Sequence, residues 1–169
     1  LGDVYKRQYQ YPKPGDFSKV PYAEPTWLVE PFASPYYSDS HRRLAREMRE
    51  FTDKYVMPVA EKCEATGERP DVDLVKRMGA NGLNPMRLGP GKHLAGRKLF
   101  ADIKPEEFDY FHEMIITQEL SRCGCRGFMD ALQGGMVIGL PPVLNFGSDE
   151  MKKDIVEPVF RGEKFIALA

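Results

Sequence analysis

Three cysteines and three histidines are the side chains in this sequence most able to do redox, metal or nucleophilic chemistry. Cys123 and Cys125 stand one residue apart. Such a pair is strained as a disulfide, and no second cysteine pair exists to complete a structural zinc site. A structural role is expected for both. His112 has no second histidine or cysteine at ligand spacing nearby, so no metal role is expected for it. Residues 84–104, NPMRLGPGKHLAGRKLFADIK, gather Arg87, Lys92, His93, Arg97 and Lys98 around several glycines. They invite a phosphate, yet the strand-then-GxxxxGK[ST] template is missing. The stretch reads as a basic surface loop, with a contact to another domain or subunit as the alternative. There is no GxSxG, no HExxH and no glycine-rich fingerprint after a strand. By themselves these residues assign no catalytic constellation.

The elements that would position any site are helical. Ser38, Asp39 and Ser40 offer caps for a first helix. Leu44, Met48, Phe51, Tyr55 and Val59 recur at helical steps and predict its buried face, with Arg43/Glu47 and Arg46/Glu50 paired on a solvated side. Pro58 predicts a kink after Tyr55, and Gly67 an end. Asp71 caps a short second helix with Leu74, Val75 and Met78 inward, closed by Gly79 and Gly82. A third helix is expected from Pro105 to Gly124, with Phe108, Phe111, Ile115 and Glu119 on one face and Met114, Ile116 and Leu120 widening the apolar surface.

A fourth helix, from about Gly127 to Leu140, is built of small residues and contains Gly134, Gly135 and Gly139. Each glycine costs a helix roughly 1 kcal/mol against alanine. Either a neighbour packs very close or a ligand lies along the groove. Ser148 caps a fifth helix that carries Met151, Ile155, Val156, Val159 and Phe160 and ends at Gly162. Phe165 to Ala169 reads as a short buried strand, which cannot form a sheet alone and so predicts that the protein continues.

Residues 9–37 hold Pro12, Pro14, Pro21, Pro25, Pro31 and Pro35 and cannot be helical. With Phe17, Tyr22, Trp27 and Phe32 they predict an extended aromatic arm lying on the helical body; a disordered leader is the alternative. Leu1 to Gln8 resembles a translated sequencing adaptor and is set aside as a scar. The 169 residues otherwise suit one domain plus a tail. A net charge of −1 gives no reason to expect a nucleic-acid partner. No apolar run approaches the ~18 residues of a membrane span. The odd cysteine count favours a reducing compartment and leaves cytoplasm, mitochondrion and peroxisome open.

Several motifs together carry a resemblance. They are Phe51, Pro58, Glu61, Gly67, Pro70, Gly79 and Gly82 in the first two helices, then Glu119-Leu120-Ser121-Arg122, Gly134-Gly135, Gly139-Leu140-Pro141-Pro142, Gly147-Ser148, Lys152-Lys153 and Gly162 onward. This pattern resembles the N-terminal helical domain of acyl-CoA dehydrogenases, and the entrance PYAEPTWL…SPYYSDSHRRL resembles fungal-type members. The resemblance implies an all-α, up-and-down bundle of about five to six helices with an extended Pro-rich arm. The expected layout is an arm over 9–37, the helical domain over 38–162, and 163–169 as the first strand of a following β-domain. It implies a flavoenzyme that oxidises acyl-CoA to trans-2-enoyl-CoA, with FAD and the catalytic base held by later domains, so no catalytic or cofactor residue is placed here. It implies a homo-oligomer, dimer or tetramer. An acyl-CoA oxidase or a flavin monooxygenase on the same fold, and a non-enzymatic helical interaction module, are the alternatives. Met129, Asp130 and Gln133 match positions that line the far end of the acyl chain, with Ile115 and Glu119 as further wall, and the resemblance favours a ligand as what the glycines of the fourth helix make room for.

Overall fold

Ser38 opens the first helix with extended backbone, and the His41 ring returns to the Ser38 N–H, closing a capping box. In the computed structural model, which describes residues 25–28 and 34–168, helix α1 combines Asp39–Phe51, a π-helical turn Thr52–Val56, and Met57–Thr66. It stops where Gly67 adopts φ 71°, a left-handed conformation that suits glycine. Then follow α2, Val72–Ala80; a single turn α3, Leu83–Met86; and α4, Tyr110–Ser121. Helix α5 combines Arg126–Met129, a second π turn Asp130–Gly134, and Gly135–Phe146. Helix α6 combines Asp149–Met151, a third π turn Lys152–Val156, and Glu157–Phe160. The described residues contain no strand and form an all-α bundle. The burial expected of Phe17, Tyr22 and Phe32, and the scar expected at the start, lie outside the described residues. Trp27 is half-buried and stacks on Tyr37, the rings 4.1 Å apart.

Proline explains two of the three π turns. Pro58 and Pro158 each lack the N–H that would bond four residues back, and widening the turn just before each accommodates the missing bond. The wide turn inserts a residue's worth of rotation. The inward face of α1 therefore moves from the predicted Tyr55 and Val59 to Val56, Ala60 and Cys63, which are buried. The third π turn, Asp130–Gly134, has no proline within it or directly after it.

Two apolar clusters result. The larger joins α1 to α4 and the first turns of α5 through Leu44, Met48, Met78, Leu83, Ile115, Ile116, Leu120, Phe128 and Leu132. The smaller gathers Leu140, Val156, Val159 and Phe160, with Met136, Val143, Leu144 and Ile166 against it. The buried Asn84 side chain donates to the carbonyls of Val75 (3.2 Å) and Phe160 (3.0 Å), tying α3 to α2 and α6.

Further expectations need correction. Helix α5 runs through Pro141 and Pro142 to Phe146 instead of ending near Leu140. Helix α4 starts at Tyr110 rather than Pro105, because Asp109 caps it by accepting from the N–H groups of Phe111 and His112. Residues 84–104 are not a plain surface loop: Leu94, Leu99 and Ile103 are buried, Arg97 pairs with Glu157, and Arg87 is drawn inward. Phe165–Leu168 is not buried, since Phe165 and Leu168 are exposed and only Ile166 tucks in.

Ile166 lies where the glycines of α5 leave room. A Cβ on Gly135 would sit inside contact distance of the Ile166 carbonyl oxygen, and one on Gly139 would press on the Ile166 side chain and the Ala167 backbone. These two glycines are therefore spent on the terminal segment, and the groove they make is filled by the chain itself. A Cβ on Gly134 would meet only the Asp130 Cβ, at 3.9 Å.

Candidate functional site

The residues singled out at the start of α5 diverge. Asp130 is exposed and pairs with exposed Arg126 one turn back, 3.0 Å away. Met129 is half-buried and packs against the larger apolar cluster. Gln133 is 5% exposed, so it is an interior residue. Its Oε1 accepts a 2.6 Å hydrogen bond from Arg87 Nε. Of the two wall residues expected on α4, Ile115 is fully buried in the core and Glu119 is turned to α1, where Arg49 grips it.

What surrounds Gln133 is a polar set that pattern reading passed over. Arg87 Nη1 donates to Glu113 Oε1 at 2.5 Å and to Thr117 Oγ1 at 2.7 Å, and the Thr117 hydroxyl donates to Glu113 at 2.9 Å. Burial pushes the Arg87 pKa down against the pull of Glu113. Arg87 comes from the end of α3, Glu113 and Thr117 from one face of α4, and Gln133 from the proline-free π turn of α5. The i,i+4 spacing of Glu113 and Thr117 is the local signal, but it does not show that Arg87 arrives beside them from another element. Through Arg87 this set holds the amide of Gln133 in one orientation.

A second polar cluster sits where α1 and α4 begin. His41 and His112 stack with centroids 3.6 Å apart, and His41 Nε2 lies 3.0 Å from Asp109 Oδ1. His112 Nε2 pairs with Ser40 Oγ at 2.9 Å, and its Nδ1 lies 2.9 Å from Asp109 Oδ1. The second histidine judged absent near His112 is thus supplied from 71 positions earlier in the chain, out of reach of spacing arguments. The ligand-type atoms of His41, Asp109 and His112 lie within 4.8 Å of one another. One nitrogen of each ring already meets Asp109 Oδ1, and both rings cap their helices. The cluster is a shared helix cap.

That cap makes stability depend on pH. Burial, reinforced by neighbouring His41, lowers the His112 pKa against Asp109 and Glu107, which raise it. Below the ordinary value of 6.5 the unfolded chain binds a proton there before the folded chain does. Stability should therefore fall as pH drops from about 7 toward 5. His93, also lowered chiefly by burial, acts in the same direction. Urea midpoints at pH 7.5 and 5.5 should differ less in His112→Gln than in the wild type. An equal drop in both would remove His112 as the cause.

The family described as acyl-CoA dehydrogenase, N-terminal domain, matches residues 38–163. The chain is 36% identical to an acyl-CoA dehydrogenase of Alternaria alternata, over 89% of this chain and 35% of the relative. It is 31% identical to one of Emericella nidulans, over 88% and 35%. To the mitochondrial short-chain specific acyl-CoA dehydrogenase of Bos taurus it is 29% identical, over 75% and 27%. The chain thus spans about a third of the length of the curated relatives it matches. No solved structure matches it significantly.

Proposed function

The chain belongs to the acyl-CoA dehydrogenase family, matching it over the N-terminal domain, and from that premise we propose that it is the helical domain of a flavin-dependent enzyme that oxidises an acyl-CoA thioester to the trans-2-enoyl-CoA. Its part is to shape the far end of the acyl pocket. The observation that carries this reading is Gln133, buried on a π turn that no proline requires and beside Gly134, a glycine with room for a Cβ. Wide helical turns of that kind recur at functional sites. Met129 and Gln133 form the pocket end, and Asp130 marks its rim.

Abstraction of the proton alpha to the thioester carbonyl needs a carboxylate base, and FAD supplies the hydride acceptor for the beta carbon. None of the described residues is assigned to the flavin. We place base and flavin in the parts of the enzyme that follow residue 169. The following β-domain would cover the end of the bundle where Ile138, Phe146, Met151, Phe165 and Leu168 are exposed on the three elements around the smaller cluster. Assembly into a dimer or tetramer belongs to the same reading. No helix among the described residues is long and apolar enough to cross a membrane.

The test is Gln133→Leu in the full-length enzyme, profiled on acyl-CoAs of increasing chain length. One methylene in a pocket changes kcat/KM by about 10- to 200-fold, so the preferred length should shift. An unchanged profile would sink the pocket assignment. Residues 1–169 alone should bind flavin poorly and show no dehydrogenase activity.

A further inference from the structure

The Gln133 amide nitrogen is buried and has no hydrogen-bond partner. Its orientation is not arbitrary. The other end of the amide faces Arg87 Nε at 2.6 Å, and a guanidinium has only donors, so that end must be the oxygen. Turning the amide over would set donor against donor. The two N–H bonds therefore point away from Arg87 with nothing in the described residues to accept them. Glu113, the carboxylate of the set, meets Arg87 and Thr117 through Oε1, and neither of its oxygens bonds the Gln133 nitrogen. A buried donor left unmatched is costly, and such a group in a folded protein calls for an explanation.

We infer that Gln133 selects acyl-CoAs whose acyl group carries a neutral hydrogen-bond acceptor, a carbonyl, hydroxyl or ether oxygen, at the depth of the α5 π turn. This rests on the proposed reading that Gln133 ends the acyl pocket. The acceptor is neutral because Glu113 already balances the Arg87 charge, leaving no net positive group for a carboxylate. A site built to hydrogen-bond a substrate group discriminates against the analogue that lacks it, because its own polar atom is then left unpaired. Gln133 acts here as a specificity residue. Arg87, Glu113 and Thr117 position it.

The experiment uses the full-length enzyme and pairs of acyl-CoAs of equal length, one with a methylene and one with an oxo or hydroxyl group at the same distal carbon. The wild type should favour the oxygenated member by on the order of 10-fold in kcat/KM. Gln133→Glu keeps an oxygen toward Arg87 but replaces the donor with a second acceptor, so that ratio should fall to one or invert. Melting temperature checks that the variant folds, and the wild-type ratio decides without any variant. A wild-type ratio near one at every position tried overturns the inference, as does a ratio unaltered by Gln133→Glu in a folded enzyme. If Gln133→Leu shifts the chain-length profile while the oxygenated preference is absent, only this inference fails. If the profile does not move either, the pocket reading fails with it.

Discussion

Replacing Glu119 by alanine should cost the fold about 3–5 kcal/mol, the usual loss when one partner of a buried ion pair is removed and the other stays behind. Glu119 projects from α4 with its side chain 7% exposed, and Arg49 of α1 meets it from a side chain 12% exposed. The contact is two-pronged: Arg49 Nε donates to Oε2 at 2.9 Å and Nη2 to Oε1 at 2.6 Å. Arg122 adds a third donor at 3.2 Å and reaches on to Asp53 at 2.8 Å. Alanine would remove the two-pronged carboxylate from the Arg49 charge between the two helices that carry the larger core. Glutamine keeps the shape and one acceptor and should fall between wild type and alanine. The exposed Arg126–Asp130 pair supplies the contrast, since breaking it should cost about 1 kcal/mol or less. Urea unfolding at pH 7 measures all three, and a loss below about 1 kcal/mol for Glu119→Ala would contradict the assignment.

That pair also shows where sequence reading stops. Arg49 lies on the face of α1 that looks solvated by periodicity, and Glu119 on an apolar stripe of α4. Neither position announces a partner 70 residues away. Local chemistry, by contrast, is legible. Ser38, Asp71 and Ser148 cap the helices expected of them, and Gly67 ends α1. These signals act within one turn, so the sequence contains both halves of each. Pro58 perturbs α1 as its missing N–H predicts, but the form, a wide turn that shifts the buried face by one residue, is not fixed by proline alone. His41 and His112 failed for the same reason as Arg49, because each is a local cap whose partner is the other cap.

The candidate site divides along the same line. The family motifs are local and pointed to one short stretch of α5. They could not tell exposed Asp130 from buried Gln133, because that depends on Arg87 arriving from α3. The glycines misled in an instructive way. Their helical cost is real, and two explanations for offsetting it were open, a ligand or close packing. For Gly135 and Gly139 the neighbour is the chain's own terminal segment.

That distinction gives the second large prediction. Gly134 and Gly135 are adjacent, both helical, and alike in propensity, so alanine at either should gain the helix roughly 1 kcal/mol. Gly134→Ala should keep that gain, since its Cβ has only the Asp130 Cβ as a neighbour, at 3.9 Å. Gly135→Ala should lose it and more. Its Cβ runs into the carbonyl of Ile166, a backbone group with no rotamer to move, and overpacking of that kind costs typically 1–3 kcal/mol. The chain can relieve the clash by lifting residues 165–168 from α5, which would expose Ile166 and open the smaller cluster on that side. Amide exchange of the 163–168 backbone should therefore quicken in Gly135→Ala and stay unchanged in Gly134→Ala, with melting temperatures moving in opposite directions. Similar shifts in the two variants would mean that the terminal segment does not rest on Gly135. The glycines of α5 would then be available to a ligand along their whole length, and the acyl group would extend past Gln133 instead of ending there.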